Sequence, residues 1–509
     1  LTSADTISGG GHVTGDTVRV DLTASVSFTL DGDFTGVETL VLNDQADDTS
    51  DATVTFDAAY AQASMVVDGS NMDAGQVLTV NAGANASSEV LSVLGGAGDD
   101  VITVGAGNDT VRSNDGADSI TLSAGGDNWV FGGNGNDTIV DGAGDDRIWG
   151  EGGADTINLV SGSNSVLAGA GDDTINAGTG NDSIDSGTQD DLIRFAIDDL
   201  TSADTVVGND GTDEIEFTTA GTLVDADLDN VSTVERLDLA NGTNTVTIGA
   251  THAQAAGIVS VEGGSGADAI DASTYTVGVN ISSEGGADSI TGGTSNDTID
   301  AGAGADTINA GTGNDNIDAG TESDLIRFAI DDLTSADTVD GNLGTDEIEF
   351  TTAGTLADGD FANVSNLEII SLADGANNVT LGSDAAAATL NLTVNGGDDN
   401  DTIDIAALGE ASTILSGLGD DTIVGSTSAE ADSLNAGSGN DLIQFTTTAD
   451  MIAASIDGGA GVDTLELTTD AQTLIDTDFG RIVANSIEEL TLADGANNVT
   501  LGSDAAAAT

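Results

Sequence analysis

The chain has 509 residues, and its 89 Asp and Glu face only seven basic residues, all of them Arg, for a net charge of −82. That balance excludes nucleic acid and anionic membrane as direct partners and makes bound cations close to a requirement for a compact state. The absence of Cys excludes disulfides and thiolate metal sites. No apolar run approaches the ~18 residues of a membrane span, so no direct membrane insertion is expected. Extreme charge with few aromatics favours disorder. Apolar residues at regular intervals favour order, and the two together predict a chain that orders when cations bind.

Residues 1–94 read as a β-rich segment. Apolar residues alternate or cluster at 17–22, 37–42, 52–56 and 77–80, with turns between them. The Ala-rich stretch 57–64 reads as one helical turn, with counterparts at 250–257 and 383–389. Residues 1–6 match 200–205, and 492–509 repeat 372–389, so both ends read as cuts through a longer repetitive protein.

Residues 95–194 carry a nine-residue unit, first as Gly95-Gly96-Ala97-Gly98-Asp99-Asp100-Val101-Ile102-Thr103 and later as Gly132-Gly133-Asn134-Gly135-Asn136-Asp137-Thr138-Ile139-Val140. Gly holds position four, Asp position six and a branched apolar residue position eight, with one slip near Phe131. The glycines at positions one, two and four permit positive φ in a tight turn. The apolar residue lies in a β-favouring strand of about three residues, too short to bury anything unless neighbouring units stack. Stacking files the position-six carboxylates at roughly the ~4.8 Å strand spacing, where they repel one another unless cations intervene. Oxygen-only ligands in a flexible turn suit calcium better than magnesium. The candidate ligands here are Asp100, Asp109, Asp118, Asp127, Asp137, Asp146, Asp155, Asp173, Asp182 and Asp191. The unit at 159–167 has Asn164 in place of Asp and lacks the paired glycines. Trp129 reads as a core residue at position eight and Trp149 as an exposed one at position nine.

A β-rich connecting segment follows at 195–262. A second block at 263–327 supplies Asp268, Asp288, Asp297, Asp306, Asp315 and Asp324. Residues 328–395 repeat the connecting plan; the run 191–205 recurs almost unchanged at 324–338. A third, more degenerate block at 396–466 supplies Asp401, Asp421, Asp432, Asp441 and Asp463, and 467–509 is a partial β-rich segment. Single units also sit inside the connecting segments at 208–216 and 341–349.

These residues resemble the RTX (hemolysin-type) calcium-binding nonapeptide, Gly-Gly-x-Gly-x-Asp-x-U-x, with U a large apolar residue. The resemblance implies an all-β fold: a right-handed parallel β-roll or β-helix solenoid, two units per coil, with calcium-binding RTX blocks alternating with wider β-rich coils. It implies several calcium ions, each between the turns of units i and i+2. Asp155, Asp173 and Asp191 then line one side; Asp146 and Asp182 line the other, flanking Asn164. Separate β-sandwich modules joined by rolls are the alternative.

Catalytic signals are poor. His12 and His252 are the only histidines and form no His-Glu-x-x-His, and no Gly-x-Ser-x-Gly elbow is present, so no enzyme is expected. RTX-type S-layer proteins resemble this chain in low Lys and β-roll content. The expected function is a calcium-stabilised structural protein of the bacterial cell surface, extracellular, its partners other copies of itself in a lattice or fibre. Any contact with cell-surface polysaccharide is assigned to regions outside this chain. The competing expectation is the extender, or stalk, of a giant secreted RTX adhesin.

Overall fold

The computed structural model describes residues 16–22, 24–31, 34–44, 50–58, 60, 63–83, 89–122, 125–428, 431–483, 486–502 and 505–506. The chain divides into two compact units, one of residues 1–241 with 249–260, the other of 242–248 with 261–509.

In the first unit two parallel sheets face each other. One contains Val90–Leu94, Thr110–Asp115, Trp129–Asn134, Arg147–Gly152, Ser165–Ala170, Ser183–Thr188 and Thr205–Asp210, each paired with the next. The other contains Val101–Val104, Ser119–Leu122, Thr138–Val140, Thr156–Asn158, Thr174–Asn176, Leu192–Phe195 and Glu214–Phe217, paired in the same way. The chain therefore alternates between sheets, and each parallel pair is closed by a crossover through the opposite face. Such crossovers are right-handed in nearly all cases. Position eight points inward on both sheets: Val111, Ile120, Val130, Ile139, Ile148, Ile157, Val166 and Ile175 are all fully buried. Their column is the core, and strand alternation leaves the residues on either side facing outward.

Strands of the second sheet have about the length expected, three residues at Thr138–Val140 and Thr156–Asn158. Those of the first sheet are longer, six residues at Trp129–Asn134 and Arg147–Gly152. There the pairing continues through the first residues of the following unit, with Gly133 opposite Glu151.

The second unit is built in the same manner. Ala269–Asp271, Ser289–Thr291, Thr307–Asn309, Leu325–Phe328 and Glu347–Phe350 form one parallel series. Asn280–Ser282, Thr298–Asp300, Asn316–Asp318 and Thr338–Asp340 form a second. Thr402–Asp404, Thr422–Val424, Leu442–Phe445 and Thr464–Leu467 form a third. All these pairings are parallel, which rules out antiparallel sandwich modules within either unit. Both units are parallel β-solenoid with little helix.

Coil length varies as expected. In the regular block, partners are 18 residues apart, as Ile157 and Ile175 are. In the connecting segment the step widens to 22, as from Ile193 to Ile215. Short helices occupy the Ala-rich places at Ala253–Ala256 and Ser383–Ala388. In the stretch at 57–64, of which 59, 61 and 62 lie outside the described residues, the described ones form no helix: Tyr60 N–H donates to Asp57 O in a single turn and a strand begins at Ser64. A third short helix at Thr448–Ala453 went unforeseen; Thr447 caps it by accepting from the Asp450 N–H. Among the described residues no helix is long and apolar enough to cross a membrane.

Candidate metal centre

Position six ends the turn and precedes the strand, so coil stacking sets each of its side chains beside the backbone of the coil before. The Asp100 N–H donates to Asp118 Oδ1 at 2.6 Å, Asp118 N–H to Asp137 Oδ1 at 2.8 Å and Asp137 N–H to Asp155 Oδ1 at 2.8 Å. Asp155, Asp173 and Asp191 continue the ladder at 2.7 and 2.8 Å. Along the opposite turns, Asp109 N–H donates to Asn128 Oδ1, Asn128 to Asp146, Asp146 to Asn164 and Asn164 to Asp182. In the second unit one ladder joins Asp268, Asp288, Asp306 and Asp324, and another Asp297 and Asp315. A third joins Asp401, Asp421, Asp441 and Asp463. Asp432 stands apart, accepting from Ser412 N–H and from Ser426 Oγ.

These carboxylates are at most 3% exposed. The ladder satisfies Oδ1. Oδ2 accepts from Gly96 N–H at Asp100, from Gly293 N–H at Asp297 and from Ser426 Oγ at Asp432, and at most other rungs it is left over. Oδ2 of Asp137, Asp155, Asp173, Asp306, Asp324 and Asp441 is buried without a hydrogen-bond partner. A buried acceptor in that condition costs about 1–3 kcal/mol, more when charged. Burial pushes Asp137, Asp173, Asp324 and Asp441 up to about 7, and Asp155 and Asp306 to about 6; stacked neighbours such as Asp191 beside Asp173 add to it. At neutral pH each row therefore needs protons or cations. Among the described residues no three acidic or histidine side chains converge on one point. The further ligands of a cation at Oδ2 would be turn carbonyls, an all-oxygen set that fits calcium.

Glycine serves two purposes in these turns. At position four it supplies backbone freedom: Gly135 has φ 124° and a side chain there would sit 1.9 Å from Gly116 O. At position one, where positive φ was also expected, the requirement is room. A Cβ on Gly132 would lie 2.5 Å from Asp137 Oδ2.

One candidate is misplaced. Asp127 is exposed, and Asn128, fully buried, holds position six. The extra residue lies between Ile120 and Asp127, not near Phe131: Ile102 pairs with Ile120 at a step of 18, Val111 with Val130 at 19, and Asp127 already meets Asp145 at 18. Asp127 belongs instead to an outer row at position five, accepting from the Asp145 N–H. Asp99 and Asp172 sit in such rows too, accepting from Ala117 and Asp190. The corrected register puts Val130 in the core and leaves Trp129 47% exposed, so Trp129 is not a core residue.

Other residues were missed. Asp213 and Asp346, inside the connecting segments, extend the ladders from Asp191 and Asp324. Each then donates its own N–H to a glutamate, Glu235 or Glu368, and Asp463 does the same to Glu488. The isolated units at 208–216 and 341–349 were the available signal for the first two. Asp141, 2% exposed, stands at position one and accepts from the Val160 N–H of the unit in which Asn164 replaces Asp. A carboxylate is thus restored beside that gap. His252 has a structural setting, with Nδ1 2.9 Å from Asp225 and Nε2 3.3 Å from Asp229. His12 lies outside the described residues.

The family model of the RTX calcium-binding nonapeptide repeat matches residues 94–128, 122–157, 160–193, 282–326 and 415–444. No curated protein matches the chain. The matched segments hold the most regular ladders, and the same hydrogen-bonded rows run on beyond them through Asp213, Asp268, Asp346, Asp401 and Asp463. RTX repeats bind calcium and occur in secreted proteins. The matched segments, about a third of the chain, are thus RTX-type calcium-binding nonapeptide repeats by sequence, and they stack into the β-roll described above.

Proposed function

We propose that this is a calcium-stabilised structural protein of the bacterial cell surface, which assembles with other copies of itself into an S-layer, sheath or filament. The observation that supports it is the use of the chain. The described residues go almost wholly into stacked coils whose buried carboxylates demand cations, and they form no catalytic constellation that the sequence also signals. In this reading the position-six aspartates hold several calcium ions, with Asn128 in the place first given to Asp127. The blocks at 95–194, 263–327 and 396–466 are stiffening elements, and the β-rich segments between them are calcium-poor. When bound, calcium supplies the positive charge that lets the stacked carboxylates stay ionised at neutral pH.

The adhesin stalk is the second reading. The near-identical runs at 191–205 and 324–338 favour it, because an extender grows by copying one module. A calcium titration followed by circular dichroism and electron microscopy tests both. Ordered lattices or fibres on adding calcium support the first reading; monomers that fold but never associate replace it with the second. Full β signal in EDTA at neutral pH sinks the calcium role in both.

A further inference from the structure

The first sheet of the first unit bears an outward cluster unlike the rest of the chain. Parallel register sets Arg112 beside Phe131, Phe131 beside Trp149, and Trp149 beside Leu167. Phe131 and Trp149 stack at 4.5 Å with 6° between their planes, and Trp129 lies 5.8 Å from Trp149. The Arg112 guanidinium sits 4.1 Å from the Phe131 ring centre and that of Arg147 5.6 Å from Trp129. Two of the seven basic residues and both tryptophans are thus gathered on three adjacent strands. Elsewhere the same outward columns carry small or polar residues such as Thr110, Ser165, Ser183 and Asp185. A cavity of about 250 Å³ adjoins the stack, lined by Arg112, Asn114, Phe131, Gly133 and Glu151.

We infer that this face binds a neutral polysaccharide. Phe131 is covered on its two faces by Arg112 and Trp149 and backs the cluster. Trp129, 47% exposed beside the small Thr110, is the ring whose negative π face can attract the slightly positive C–H face of a sugar. The cavity beside them offers hydroxyl partners of both kinds, donors on Arg112 and Asn114 and an acceptor on Glu151. The two guanidiniums lie over the rings and relieve the acidic field locally. The net charge of −82 still repels polyanions, which leaves an uncharged, hydroxyl-rich chain as the partner. A second copy, the other candidate occupant of this face, is told apart by the dependence of the signal on protein concentration. The assignment places glycan contact within this chain, and it does not depend on how copies assemble.

Because Trp129 and Trp149 are the only tryptophans, selectively excited tryptophan fluorescence of the calcium-loaded chain reports on this face alone, free of Tyr60 and Tyr275. The titrants are cellohexaose, maltohexaose and mannohexaose, with polygalacturonate as the anionic control. A saturable blue shift with at least one neutral hexasaccharide, absent with polygalacturonate, is expected. Phe131→Ala, with both reporters intact, should weaken that binding by roughly tenfold or more. Its calcium-induced circular dichroism should match the parent chain. Should Phe131→Ala fail to fold with calcium, Arg112→Gln tests the same face and is expected to weaken binding in the same direction. No shift with any neutral titrant at millimolar concentration overturns the inference. So does a stronger response to polygalacturonate, or a shift that follows protein concentration without sugar, which would mark a contact between copies.

Discussion

At the scale of the residue, position five and position six differ in burial and in the coil they bond to: Asp172 accepts from Asp190 of the coil after, Asp173 from Asp155 of the coil before. Asp172 and Asp173 are adjacent carboxylates, yet Asp172 lies in an exposed outer row and Asp173 is 1% exposed with Oδ2 unpartnered. If Oδ2 is where a cation is held, Asp173→Asn should raise the calcium concentration at half-folding by about fivefold, on the order of 1 kcal/mol for one lost charged contact. Asp172→Asn should change stability by no more than about 0.5 kcal/mol. Calcium titrations by circular dichroism give both values, and equal responses would remove the distinction. Position six was legible because the nine-residue spacing and the Gly-x-Asp signature coincide through most of the block. It failed at Asp127 because Gly125-Gly126 and Asp127-Asn128 satisfy the pattern in two registers, and Trp129 and Val130 can each fill position eight. Only burial decides between them. Asp141 was illegible for another reason: nothing in a nonapeptide marks position one as a place for acid. Its use follows from contact with a unit 18 residues further on, whose Val160 N–H it accepts.

At the scale of the element, the ladder is a row of carboxylates whose protonation and whose stacking are the same problem. Burial lifts Asp137 and Asp173 to about 7 and Asp155 to about 6, against an ordinary 3.8. A carboxyl group raised on folding favours the fold fully only below its ordinary range. That contribution is lost as pH climbs through its folded value. In EDTA the chain should therefore lose β structure as pH rises from about 4 to about 7 and regain it on acidification, with protons replacing the missing cations. With calcium present the loss at pH 7 should disappear. A chain equally unordered in EDTA at pH 4 and pH 7 would contradict the buried, unpaired setting of Oδ2. The end of a ladder poses a different problem, since its last N–H has no further aspartate to meet. Glu235 answers it by accepting from Asp213 at 2.8 Å. Glu235→Ala should cost about 1–2 kcal/mol and speed amide exchange at Asp213, whereas Glu235→Gln should retain most of the bond. The repeating strands were readable from period and composition. These glutamate ends were not, because Glu235, Glu368 and Glu488 lie 22 to 25 residues past their partners, outside any nonapeptide.

At the scale of the whole molecule, each unit is a stack in which a coil meets only its neighbours, so order in one coil depends on cations held in the next. The sparse basic residues turn that dependence into a direct measurement. Trypsin has only seven arginines to cut, and no lysine. Arg19, Arg112, Arg147, Arg194, Arg236 and Arg327 all lie within paired strands, Thr17–Leu22, Thr110–Asp115, Arg147–Gly152, Leu192–Phe195, Arg236–Asp238 and Leu325–Phe328. Arg194 and Arg327 are held further by Glu216 and Glu349, each at 2.6 Å. Arg481 differs, being exposed in a turn outside any strand. Cleavage of a paired strand requires local opening, so its rate follows the population of the open state. With saturating calcium, cleavage at the six strand arginines should slow by about a hundredfold or more relative to EDTA at neutral pH, while Arg481 is cut early in both. Mass spectrometry of the fragments separates the sites. Protection confined to Arg112, Arg147 and Arg194 would restrict calcium-dependent order to the regular block at 95–194. Protection at Arg327 as well would show that the second unit answers to calcium through its own ladders.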